Sequence, residues 1–110
     1  MPSGFVVTLN KQIIHTYEDI PAPARLRRHF DELDQYMESG VQLGDTFVKQ
    51  PSAYQKQQYV AMDLIHSLEK NDSQIVQVLS AYLMKRISQL IELKVTSKDD
   101  VFNMKFITKE

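Results

Sequence analysis

Residues 4–17, GFVVTLNKQIIHTY, decide the fold. The run is rich in β-branched and aromatic side chains, which suit a half-buried pleated surface. Asn10-Lys11 interrupts its apolar pattern, and Asn tolerates the left-handed backbone that a two-residue hairpin turn requires. The stretch therefore reads as two short strands, Gly4–Leu9 and Gln12–Tyr17, with a single bent strand as the alternative. Phe5, Val7 and Leu9 fall on one face, with Ile13 or Ile14 opposite them. The far end of the chain answers in kind. Across 101–109, Phe102, Met104 and Phe106 alternate with Asn103, Lys105 and Ile107, which is the period of a strand with one dry face.

Between these ends the period changes from two to that of a helix. Residues 17–23 carry Pro21 and Pro23 and form a connector, because each proline pushes its predecessor out of the helical region. Pro23 also fits the first turn of the helix that follows, where its missing N–H costs nothing. From Ala24 the apolar residues Leu26, Phe30, Leu33 and Met37 recur at four, three and four, a helical stripe that Gly40 ends. Residues 40–51 contain Gly40, Gly44 and Pro51 and read as a loop whose Val41, Leu43, Phe47 and Val48 pack onto the core. Ser52 and Gln55 have capping-box spacing and open a second helix to about Lys70, with Tyr54, Ala61, Leu64, Ile65 and Leu68 inward. Asn71, Asp72 and Ser73 offer caps for a third. Ile75, Val76, Leu79, Leu83, Ile87, Leu90 and Ile91 continue it over some twenty residues, roughly 30 Å. Residues 96–100 close it.

The expected architecture is one α+β domain over residues 1–110, in the order ββαααβ. A small antiparallel sheet, the N-terminal hairpin plus the C-terminal strand, is covered on one face by three helices.

Composition excludes several classes of function. At 110 residues with 43% hydrophobic and 25% charged side chains, the chain is globular rather than low-complexity. It has no cysteine, so a disulfide scaffold, a thiolate zinc site and a cysteine nucleophile are excluded. Net charge is −1, which gives no overall positive field to draw nucleic acid or an anionic membrane. No basic leader or apolar stretch of membrane-spanning length is visible, and a cytoplasmic protein is expected.

The residues that carry chemistry are sparse. His15, His29 and His66 form no pair at helical spacing. Asp63, His66 and Glu69 share one helical face, but a single such row reads as a solvated polar surface rather than a metal centre. Three glycines, at 4, 40 and 44, cannot build a phosphate-binding loop. Met37, Met62, Met84 and Met104 read as core filler, and Tyr36, Tyr54, Tyr59 and Tyr82 as packing at the core's edge. Neither an enzyme nor a cofactor is expected.

One cluster resists this reading. Arg25, Arg27 and Arg28 crowd the start of the first helix, and Asp31, Glu32, Asp34 and Glu38 follow. The helix dipole prefers the reverse order. Arg27 with Asp31 and Arg28 with Glu32 are spaced to pair, though base before acid is the weaker orientation. A self-paired solvated face explains the cluster. So does a binding site for an anion or acidic partner, where arginine forks meet carboxylate or phosphate. Charge is also segregated, +2 over residues 1–30 and −5 over residues 31–48, which suits docking to a complementary surface, including a second copy.

The function expected is a non-catalytic protein-interaction or regulatory module that forms a homodimer, through the third helix or the terminal strands. The alternatives are a nucleic-acid binder using Arg25, Arg27, Arg28, Lys85 and Arg86, against which the net charge counts, and a small-ligand binder with a pocket between sheet and helices.

Overall fold

Asn10 and Lys11 both take the left-handed conformation, with φ of 50° and 72°, and so close a two-residue turn between β1 (Gly4–Leu9) and β2 (Gln12–Glu18). Paired positive φ values are what the right-handed twist of a hairpin demands. The computed structural model describes residues 4–18, 24–99 and 101–109, with side chains in the first helix described from residue 27. Of the connector expected at 17–23, Tyr17 and Glu18 belong to β2, and 19–23 lies outside the described residues. The remaining elements are α1 (Ala24–Glu38), β3 (Val41–Leu43), β4 (Thr46–Val48), α2 (Ala53–Glu69), α3 (Ser73–Arg86), β5 (Leu90–Lys98) and β6 (Val101–Thr108). The fold is α+β, and the expected order ββαααβ recurs with three strands added.

The chain groups into two compact units, Met1–Ile20 with Leu83–Glu110, and Pro21–Tyr82. The first contains a four-stranded sheet in the order β2-β1-β5-β6. Both hairpins are antiparallel, but β1 and β5 run parallel, Val7 facing Leu93 and Leu9 facing Val95. The sheet is therefore mixed rather than wholly antiparallel. A strand that sequence reading assigns to a helix occupies its centre.

The cause is a bulge. α3 stops at Arg86, Gln89 takes φ 60° just before β5, and pairing with β6 skips Ile91. An extra residue shifts the side-chain alternation by one, so Leu90 and Leu93, three apart, are both buried. Three-residue spacing imitates a helix. α3 is accordingly 14 residues long, about 21 Å.

One face of the sheet is dry. Phe5, Val7, Tyr17, Leu93 and Val95 are buried on it, with Met104 and Phe106 half-buried. Phe5 and Tyr17 face each other across the hairpin, ring centroids 5.7 Å apart. Ile13 and Ile14 do not take the expected place opposite Val7. A second bulge, where the register jumps from His15 to Ile13 against Val7 and Thr8, leaves them 63% and 40% exposed. On the opposite face Thr8, itself buried, donates a hydrogen bond to Glu92 Oε2 at 2.6 Å.

His15 stands opposite Val7 on the dry face, and burial lowers its pKa from 6.5. The fold thus favours the neutral imidazole. Its contribution is complete above pH 6.5 and declines as pH falls toward the lowered folded-state value, because the unfolded chain binds the proton first. Urea denaturation between pH 7.5 and 5 should show a smaller acid loss in His15→Gln than in the parent. Equal losses in the two proteins would remove His15 as the source.

The second unit holds α1, α2, the β3–β4 hairpin and α3 up to Tyr82. Phe30 and Met37 of α1 are buried, as are Val60, Ala61, Leu64 and Ile65 of α2 and Val76 and Leu79 of α3. The capping box at Ser52 is formed on both sides: Gln55 N–H donates to Ser52 Oγ at 3.2 Å, and Ser52 N–H to Gln55 Oε1 at 2.8 Å. Tyr54, expected inward, is 53% exposed. Asp72 caps α3 through the Ile75 N–H, at 3.2 Å. The stretch read as a loop is a short hairpin turning at Gly44, φ 60°. Val41 is buried in it, whereas Phe47 is 55% exposed.

Candidate functional site

Asp63 lines two clefts of the helical unit. His29 and Leu33 lie one turn apart on α1, and Gln74, Ile75, Val78 and Leu79 cover adjacent turns of α3. With Asp63 of α2 they enclose a cleft of about 360 Å³. Its walls are aliphatic, and its polar groups are the His29 imidazole, the Asp63 carboxylate and the Gln74 amide. Such a lining suits an apolar group that carries one polar or cationic handle. Ile75, a core position by its spacing, is 45% exposed at this cleft.

The second cleft, of about 240 Å³, lies between the β3–β4 hairpin, through Gln42 and Gly44, and one face of α2 presenting Tyr59, Met62, Asp63 and His66. Burial pushes the Tyr59 phenol up, and the neighbouring Tyr36 and Asp63, together with a hydrogen bond to Tyr36, act in the same direction. Tyr59 therefore stays protonated through the physiological range and serves as a neutral hydrogen-bonding group. Asp63 and His66 of the polar row reach this cleft, and Glu69 does not line it. Among the described residues no group of three or more His, Asp or Glu side chains is arranged to hold a metal ion.

Neither Arg27 nor Arg28 lines either cleft. Arg27 and Arg28 are exposed on α1, and the Arg25 side chain lies outside the described residues. Glu32, spaced to pair with Arg28, instead lies 3.7 Å from His29 Nδ1. Neither Arg27 nor Arg28 forms an ion pair among the described residues. Their guanidinium groups are thus available to an outside anion.

What sequence reading missed is the first cleft. Its residues belong to three helices, and only Leu33, Ile75 and Leu79 stand out in the chain, as ordinary core positions. Val78 lies off the expected stripe, and that displacement was the one available signal.

No known protein family, curated protein or solved structure matches this chain.

Proposed function

We propose that the chain is a small protein-binding module without catalytic activity of its own, and that it associates with a second copy of itself. The observation that supports this reading is the state of the two sheet edges. β2 and β6 are outermost, and each carries large apolar side chains in the open: Ile13 at 63% and Ile14 at 40% on β2, Val101 at 58% and Phe102 at 37% on β6. Solitary domains usually blunt such edges with proline, charge or a covering loop, because the free N–H and C=O groups template further pairing. A cytoplasmic setting belongs to the same proposal. Among the described residues no helix is long and apolar enough to cross a membrane.

Sedimentation equilibrium at micromolar concentration tests the reading. A species of twice the chain mass is expected, and a single species of 12.8 kDa would reject self-association.

A second reading has its own support. The 360 Å³ cleft, apolar with a carboxylate and an imidazole at its margin, has the size and lining of a small-ligand site. Binding of nucleic acid through Arg25, Arg27 and Arg28 has less, since one exposed pair of arginines supplies few phosphate contacts. A gel shift with random DNA and RNA that weakens steeply with salt would favour it.

A further inference from the structure

We propose that β6 is the self-association edge, pairing antiparallel with β6 of a second copy about a two-fold axis through Met104; this rests on the self-association reading above. The choice of edge follows from regularity. β2 is interrupted by the bulge at Ile14, a device that bends an edge out of pairing geometry. β6 runs eight residues without an extra residue of its own, contains no proline, and has no strand along its outer side among the described residues.

The choice of partner follows from the sequence of the strand. In a two-fold antiparallel pair, residues facing each other lie on the same face of the sheet, so the axis must pass through a residue and not between two. With Met104 at the centre, Val101 meets Ile107 of the second copy, Phe102 meets Phe106, and Asn103 meets Lys105. Every apolar residue of this stretch faces an apolar one, and the lysine faces a neutral amide. Centring on Lys105 would set that lysine against itself, which is destabilising, and would place Asn103 against Ile107. Centring on Asn103 would set Val101 against Lys105. Of these registers, only the one through Met104 matches every apolar residue to an apolar one and keeps Lys105 from facing itself. A strand selected for a foreign partner has no need of such palindromy, so the occupant is a second copy.

The pairing would carry the dry face across the axis. Phe102, Met104 and Phe106 lie on the same face as Leu93 and Val95, and the two sheets would join into one of eight strands.

The absence of cysteine makes the test clean, because each single-cysteine variant carries one thiol. Asn103→Cys, Met104→Cys and Lys105→Cys are compared under mild oxidation. Directly opposed residues stand within disulfide reach, whereas 103 and 105 meet their own counterparts only across a diagonal of roughly 7–8 Å or more, too far to bridge. Met104→Cys is expected to give covalent dimer at least about tenfold faster than the other two.

A charge swap provides a second test that leaves the half-buried face intact. Asn103→Lys sets a lysine against Lys105 of the second copy, both positions being exposed, and is expected to weaken the dimer several-fold at low salt, and Lys105→Glu added to it should restore the parent affinity.

A dimer whose cross-linking does not peak at 104, or whose charge swap shows no rescue, would overturn the β6 register and leave self-association standing. A monomer in sedimentation, without cross-linking at any position, would overturn both.

Discussion

Tyr82→Ala is expected to lower the unfolding free energy by about 3–5 kcal/mol, the range for truncating a large buried aromatic side chain. The melting temperature should fall by roughly 10–25 °C for a chain of this size. Tyr82 is 2% exposed on α3, and two separate interactions tie it to α1. Its ring packs edge-on against Phe30, centroids 5.9 Å apart at 79°, and its hydroxyl donates to Asp34 Oδ1. Phe30 and Asp34 are four apart, so one helical turn offers both contacts side by side. Tyr82→Phe separates them. It keeps the ring and removes one donor from a half-buried carboxylate, which should cost about 1.5–3 kcal/mol. Thermal and urea denaturation of the two variants decide the matter. A loss below about 1 kcal/mol in Tyr82→Ala would show that Tyr82 is not the link between α1 and α3.

Gly40→Ala should rank next, with a loss of about 2–4 kcal/mol from two sources. Gly40 follows α1, donates its N–H to Met37 O at 3.0 Å, and takes φ 129°, a backbone region that side-chain-bearing residues rarely enter. A Cβ there would also meet the Phe47 ring, 2.7 Å from Cε2, and the Val48 carbonyl oxygen at 3.1 Å. Phe47 is 55% exposed, and its ring is free to swing outward. The double variant Gly40→Ala/Phe47→Ala is therefore expected to recover only the steric share, leaving about 1–3 kcal/mol of backbone strain. Full recovery in the double variant would locate the whole effect in the ring. A Gly40→Ala protein as stable as the parent would contradict the strained turn itself.

These two residues mark what could be read from the chain and what could not. Gly40 is legible as a helix stop because the conformation it permits is a local property. The same holds for the Asn10-Lys11 turn, the Ser52–Gln55 capping box, the α1 stripe through Phe30 and Met37, and the alternation of β6. Tyr82 reads as one more tyrosine at the edge of a helix. Its burial depends on Phe30 and Asp34, some fifty positions away. The overrun of α3 into β5 has a more specific origin: the bulge at Ile91 puts Leu90 and Leu93 on one face at a helical interval. β3 and β4, three residues each, are too short for any period to show. The arginines were singled out by an unfavourable order of charges, a signal local to α1. The 360 Å³ cleft required three helices to converge, which no spacing along the chain records.

The parallel pairing of β1 with β5 has a consequence for how the protein is made. Val6 through Leu9 find their partners at Glu92 through Val95, so the centre of the sheet cannot close until most of the chain has been synthesised. At about 5–20 residues per second, the hairpin of β1 and β2 waits roughly 4–15 s on the ribosome with Phe5, Val7 and its isoleucines uncovered. Pairings of such long sequence separation also form slowly once the chain is free. The helical unit has no such dependence, and its helices, each built on local contacts, can mature while the hairpin is still waiting. A nascent chain stalled just before residue 90 would therefore be the form most in need of a chaperone.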